Sequence, residues 1–411
     1  MTIFVSIAAY RDPELIPTIR DCVARARWPG ELRFGICWQH ADGEPVPRVP
    51  APARSRLIDI PWRDSRGACW ARAEIMRLYD GEEYFLQLDS HHRFVQDWDA
   101  RLIGELERSG ADKPLLSTYP PDYDPDTPLP PGDVPTRLQL NHFFPNGNVS
   151  FSARAMPHWQ ERTAPMRARF LGAGMLFTPG SFVADVPYDP ELYFDGEEIT
   201  LAIRAFTHGY DLFHPAVHAI WHQNSSHLRK RHWDDHTPDA AVAITGHDRN
   251  SASLNKVADF LRDRPIGPLA CGTVRSFAAY EAYAGLDFRR RAATAAARGG
   301  HEPLPPAAPP ASLKTWRISI ALDRETLSGA ALNAPRFWYV GVHDEANVEI
   351  ARADAQHAEL ARAIRSPAPR IVLEREVRSA RPPARWTVWP VDRHGHWLEP
   401  HHGAIDAALP A

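Results

Sequence analysis

The stretch Tyr84-Phe85-Leu86-Gln87-Leu88-Asp89-Ser90-His91 decides the fold. A short apolar run ends abruptly in an acid, a small residue and a histidine. It is too short for a buried helix and reads as a buried strand. The carboxyl end of such a strand is where open α/β sheets hold their ligands. Asp89 and His91 are two positions apart, so on an extended backbone their side chains leave on the same side. A carboxylate oxygen and an imidazole nitrogen aimed together can hold a divalent cation, manganese or magnesium. A cation there can carry the diphosphate of a nucleotide sugar. For these residues by themselves, a strand end with a solvated Asp and His is the plainer alternative.

Working outward, residues 3–8 read as a first buried strand, and Asp12-Pro13 as a helix cap with proline at the first helical position. Leu15, Ile19, Cys22, Val23 and Ala26 form an apolar stripe at helical spacing, with Pro17 forcing a kink or a later start. Residues 32–38 and 56–60 follow as strands. Residues 66–80 read as a helix with Cys69, Ala73, Met76 and Tyr79 on one face and Gly81 at its stop. This βαβ rhythm predicts an α/β fold: a mostly parallel sheet flanked by helices. Residues 119–135, rich in Pro and Asp, are expected as a long loop, either a surface insertion or a lid. Residues 142–152 read as a turn and strand. The run 170–178 has two glycines at close backbone approaches, residues 193–208 become helical after an acidic start, and 216–221 form a strand ending at His222.

Residues 292–312 are rich in Ala, Arg, Gly and Pro and predict a linker. It divides a domain over 1–291 from a small β-rich one over 313–411, whose β-runs fall at 315–321, 336–343, 370–377 and 386–391. Trp316, Trp338, Trp386, Trp389 and Trp397 there are core residues or, alternatively, a sugar-binding face.

At 411 residues, 44% hydrophobic and 24% charged, the chain is globular and large enough for more than one domain. A net charge of −4 gives no field to hold nucleic acid. No apolar run is long enough to span a bilayer, and the opening Met1-Thr2-Ile3-Phe4 reads as a strand rather than a signal peptide. Cys22, Cys37, Cys69 and Cys271 fit no zinc or redox spacing and are expected as reduced thiols in a cytoplasmic protein. The heavy use of Ala, Arg and Pro points to a GC-rich bacterial genome.

The residues Ile3-Phe4-Val5-Ser6-Ile7-Ala8-Ala9-Tyr10-Arg11-Asp12-Pro13-Glu14-Leu15 strongly resemble the opening of the GlcNAc-transferase family known as glycosyltransferase family 60. So, in order, do Leu32-Arg33-Phe34-Gly35-Ile36-Cys37-Trp38-Gln39, Leu88-Asp89-Ser90-His91, Leu171-Gly172-Ala173-Gly174, Val186-Pro187-Tyr188-Asp189-Pro190, Phe194-Asp195-Gly196-Glu197-Glu198 and Arg275-Ser276-Phe277. The resemblance covers roughly the first 290 residues. It implies a GT-A type nucleotide-sugar-binding fold and a metal-dependent, retaining transfer of GlcNAc from UDP-GlcNAc to a hydroxyl of a protein or glycan. The alternative keeps the fold with another UDP-sugar and a glycan, lipid or small-molecule acceptor. The family is similar in turn to mucin-type polypeptide GalNAc-transferases, where an Asp-X-His pair and a later histidine hold manganese. By position Asp89 and His91 match the pair, and His222 is the candidate third ligand among the neighbouring His218, His227 and His232.

The resemblance further implies sugar or acceptor contacts for Asp195, Glu197 and Glu198, for which a plain first helical turn is the alternative. Ala8, Tyr10, Arg11, Arg66, Arg72 and Ser90 are expected on the nucleotide, and Gly172, Ala173 and Gly174 beneath the donor sugar. A metallohydrolase built on the histidine-rich 208–236 would need a motif such as HExxH, which the stretch lacks.

Overall fold

The structure is a computed structural model that describes residues 1–130, 134–224, 229–263, 267–306, 314–379, 381–405 and 409–410. It divides into two compact units, one of residues 1–284 with 299–304, the other of 285–298 with 305–411.

The first unit opens with β1 (Ile3–Tyr10), α1 (Leu15–Arg25), β2 (Leu32–His40), β3 (Arg54–Pro61) and α2 (Ala68–Met76). Next come β4 (Tyr84–Leu88), β5 (His92–Phe94), α3 (Trp98–Arg108), β6 (Pro114–Ser117), β7 (Thr136–Phe143) and β8 (Val149–Ala155). The chain continues through β9 (Met166–Arg167), β10 (Met175–Pro179), α4 (Phe182–Asp185), α5 (Glu197–Thr207), β11 (Asp211–His214) and β12 (Ile220–His222). It ends with α6 (His232–Asp235), α7 (Gly246–Asp263) and α8 (Phe277–Ala284). Eight strands form one sheet in the order β3-β2-β1-β4-β10-β6-β11-β9. β10 runs against both of its neighbours and β9 against β11; the remaining pairings are parallel. The expected α/β class with a mostly parallel sheet is therefore present.

β1 is buried nearly end to end because helices cover both of its faces. Ile3, Val5, Ile7 and Ala9 join a core with Leu15, Ile19 and Cys22 of α1 and Trp98 and Leu102 of α3. On the opposite face Phe4 stacks on Phe85 and meets Tyr79 edge-on. Gly35 of β2 lets α2 approach: a Cβ there would stand 2.8 Å from Ile75 Cγ2 and would also strike the Phe4 ring.

Several sequence expectations shift by a few residues. The first helix is capped at Glu14, two residues beyond Asp12, which leaves Pro17 in the first turn where its missing N–H costs nothing. The hairpin around Asn146-Gly147-Asn148 starts at Thr136, well before residue 142, with Gly147 at φ 90° in its turn. The described part of the proline-rich 119–135 is anchored at its start. His222 N–H donates to Pro121 O (2.9 Å), and Tyr123 N–H to His222 O (3.3 Å). At the sheet margins, β3 presents Arg54, Arg56, Asp59 and Pro61, and β9 is two residues long.

The second unit holds a three-stranded sheet built on Lys314–Asp323 and Arg370–Ser379, and a larger one built on Pro335–His343 and Arg385–Asp392. Both contribute to one core that includes Trp316, Ile320, Trp338 and Val388. Ala295–Arg298, inside the segment read as a linker, is a short helix, and residues 307–312 lie outside the described ones. The tryptophans divide: Trp316 and Trp338 are core, while Trp389 and Trp397 are 37% and 50% exposed. None of the four cysteines forms a disulfide; Cys271 is half-buried and the others are buried.

Candidate metal centre and surrounding site

β4 stops at Leu88, and the Asp89 N–H donates to Gly174 O at 3.1 Å, so the chain turns there and aims Asp89 off the sheet's end. The short antiparallel pair of β5 and β12 sets His222 opposite His92. That pairing brings a histidine from 133 positions away beside Asp89, with His222 Nε2 3.2 Å from Asp89 Oδ2. His91 Nε2 lies 4.0 Å from the same oxygen. One ligand atom from each of Asp89, His91 and His222 falls within 4.8 Å of the others. Of the other histidines considered, His218 packs on Trp221 and His232 bonds Tyr193 Oη, while His227 lies outside the described residues.

The donor set fits a divalent cation. His91 is buried, and its Nε2 has no hydrogen-bond partner, although a buried imidazole nitrogen ordinarily finds one. Its Nδ1 is 2.7 Å from Asp12 Oδ2, a pairing that places the proton on Nδ1 and leaves the Nε2 lone pair facing Asp89. His222 is oriented likewise, Nδ1 2.9 Å from Asn224 Oδ1. Burial keeps His91 neutral by pushing its pKa down, the form a ligand needs. Against burial, the neighbouring His222 imidazole and the Arg72 charge hold Asp89 well below the usual carboxylate range. Gly174 makes the cradle: a Cβ there would stand 2.8 Å from Asp89 Oδ2.

Around this centre runs a buried charge network. Arg72 donates to Asp89 Oδ1 (2.6 Å) and, through its other terminal nitrogen, to Glu197. Glu197 also accepts from Tyr188 Oη, which in turn takes the Gln87 amide at 2.9 Å. Arg72 thus spends its charge on two carboxylates and is 4% exposed, rather than standing open toward a nucleotide. Glu197, expected on a sugar, is 4% exposed and engaged with Arg72 and Tyr188. Glu198 accepts from Tyr119 Oη and from the Ala173 N–H (2.8 Å), and burial pushes its pKa up to about 7. Gly172 admits Tyr119: a Cβ would come within 2.6 Å of that ring. Gly172, Ala173 and Gly174 therefore each meet a different site side chain: Tyr119, Glu198 and Asp89.

The end of β1 is held by a second set of contacts. Tyr10 Oη donates to Asp235 (3.1 Å), and Arg11, at φ 46°, pairs with Asp235 (2.7 Å) and Glu44 (3.3 Å). Ser90 Oγ donates to Asp12 Oδ2 at 2.6 Å, beside the His91 contact. Ala8 is half-buried opposite Cys37, and Arg66 is exposed over the Trp70 ring. Asp195 is exposed and lines a different cleft with Phe194 and Trp233. Sequence reasoning reads Asp12 as a helix cap and does not single out His92, Tyr119 or Tyr188. Only Asp12 and Tyr188 carry a signal there, since both fall inside the stretches quoted for the family resemblance.

A family model described as Glycosyltransferase (GlcNAc) matches residues 2–55 and 49–290. No curated protein matches the chain. Among solved structures it is similar to GalNAc-T7 with UDP, GalNAc and Mn2+, at TM-score 0.46 and 14% identity over 68% of this chain and 54% of that one. The chain thus spans about half the length of that protein. It is also similar to S. aureus TarS 1-349, at TM-score 0.36 and 10% identity over 64% of this chain and 73% of that one.

Proposed function

The chain belongs to the glycosyltransferase (GlcNAc) family, and from that premise we propose that it moves GlcNAc from UDP-GlcNAc to a hydroxyl acceptor, protein or glycan, with retention at the anomeric carbon, on a GT-A type fold. The observation that carries the reading is the convergence of Asp89, His91 and His222, with the lone pair of a buried, unpartnered nitrogen turned toward it.

Asp89, His91 and His222 are the residues that would hold a divalent cation. Bound there, manganese or magnesium supplies Lewis-acid neutralisation of the charge that develops on a departing diphosphate. Asp12 and Asn224 orient the two imidazoles, and Arg72 fixes the second oxygen of Asp89 so that the first stays turned to the centre. Glu197 acts through Arg72 and is a positioning residue. The 172–174 backbone forms the floor for the sugar, and Glu198 beside it offers a carboxyl that titrates near neutrality. Asp195, away from this network, belongs to the acceptor side. No protein nucleophile is required if the acceptor attacks from the face the nucleotide leaves, its proton passing to the leaving phosphate.

The test is a panel of nucleotide sugars with purified full-length protein and manganese. UDP-GlcNAc should be hydrolysed slowly without acceptor, and Asp89→Ala should abolish manganese-dependent UDP binding while the circular dichroism spectrum stays unchanged. Turnover of a different UDP-sugar would redirect the donor assignment. Absence of any donor binding or metal dependence would sink the enzyme reading.

A further inference from the structure

The turn that carries Glu197 and Glu198 inward also carries two residues outward. Gly196, at φ 90°, reverses the chain, and a Cβ there would stand 2.5 Å from Val257 Cγ2. Before it, Phe194 and Asp195 face out of the fold; after it, Glu197 enters the buried network with Arg72. Phe194 and Asp195 line a cleft of about 470 Å³ together with Trp233 and the start of α7. That volume lies in the range of small-molecule sites, roughly 300–1,000 Å³. The cleft and the donor-side network are thus two sides of one turn.

Phe194 is 53% exposed, and its ring meets that of Trp233 at 5.3 Å and 71°. Arg231, paired with Asp234, caps one face of Trp233 at 5.2 Å, so Phe194 offers the freer ring. Around the rings stand Asp195, His247 and Asn250. Among the described residues, none of these three side chains has a hydrogen-bond or ion-pair partner. The Asp195 pKa is raised by burial. The lining therefore joins an open aromatic face to a carboxylate that accepts, an amide that donates and accepts, and an imidazole. Its described walls are helix ends and turns. No strand is among them, so an extended peptide finds no backbone ladder to join here.

We propose that this cleft receives a sugar ring of the acceptor, whose C–H face lies on Phe194 and whose hydroxyls bond Asp195 and Asn250. The inference rests on the transferase reading given above and narrows its acceptor from protein or glycan to glycan. A pyranose presents an apolar face and a rim of hydroxyls, each both donor and acceptor, which is the converse of this lining.

The experiment gives the full chain manganese, the UDP-sugar it hydrolyses and two sets of acceptors. One set is oligosaccharides built from hexoses, N-acetylhexosamines, deoxyhexoses and uronic acids; the other is hydroxyl-bearing peptides. Mass spectrometry should find the transferred sugar on at least one oligosaccharide and on no peptide. For that oligosaccharide, Asp195→Ala should raise KM roughly tenfold or more, as for loss of a hydrogen bond to a charged group. Phe194→Leu should raise it roughly fivefold, whereas Phe194→Tyr, which keeps the aromatic face, should not. Both positions are exposed, so each variant should melt with the parent. Transfer to peptides, transfer to neither set while the UDP-sugar is still hydrolysed, or a KM that Asp195→Ala and Phe194→Leu leave unmoved would each overturn the proposal. If the parent hydrolyses no UDP-sugar, the donor reading itself fails and this inference falls with it. The comparison of saccharides with peptides needs no variant, so it decides even if a variant does not fold.

Discussion

At Gly174 the backbone passes so close to Asp89 that one methyl group would displace it. Gly174→Ala should therefore weaken manganese-dependent UDP binding by roughly tenfold or more, the range in which disturbed metal surroundings act, with little loss of fold; calorimetric titration alongside a thermal melt reads both. Arg72 presents the opposite case, since its removal strands two carboxylates. Arg72→Met should cost about 3–5 kcal/mol in urea unfolding, and adding Glu197→Gln should recover part of it. Glu198 predicts a pH effect. Its folded pKa lies above the ordinary glutamate value, so folding favours the protonated form. That contribution is complete at low pH and is lost as pH rises toward and through about 7. Glu198→Gln removes the dependence, so its melting temperature should gain on the parent between about pH 5 and pH 8. Asp89 and His91 are legible in the sequence because one strand end displays both. Asp12 is not, since an acid before Pro13 reads as a helix cap, and only the folded chain shows its oxygen against His91.

Among the elements, the tightest dependence is between β2 and α2. Gly35 lets Ile75 and Phe4 close over the strand, and α2 carries Arg72 three residues before Ile75. Gly35→Ala should overpack this seat, destabilise by about 1–3 kcal/mol in urea unfolding, and weaken manganese-dependent UDP binding along with it. If stability falls and UDP binding does not, the helix does not transmit its position to Asp89. The strands and helices of the sheet were readable because apolar runs and amphipathic stripes obey simple periods. The three-residue β5 and β12 were harder, since so short a pair has no period. The run ending at His222 shows as apolar residues, yet nothing in it says that it pairs with residues just past His91. The anchored start of the proline-rich segment was invisible for a similar reason: its bonds are backbone to backbone and leave no trace in side-chain type.

On the scale of the molecule, the three candidate ligands all belong to the first unit, although residues 89 and 222 are far apart in the chain. A cation that binds only the folded state must raise its melting temperature. Manganese at a hundred times its dissociation constant should add about 2.7 kcal/mol, and Asp89→Ala should erase the shift in a thermal melt. Apart from residues 285–290, the second unit lies beyond the family match, and its β-runs were legible while its tryptophans were not: alternation along a strand does not say which face meets a second sheet. The charged margin strand β3 has a consequence for behaviour in solution. Open strand edges invite a neighbouring molecule to add itself on, and Arg54, Arg56 and the closing Pro61 make that addition unfavourable. Trading both arginines for valine should leave the chain folded yet turn concentrated samples cloudy on storage, because most of the guard against sideways stacking into fibres would be gone.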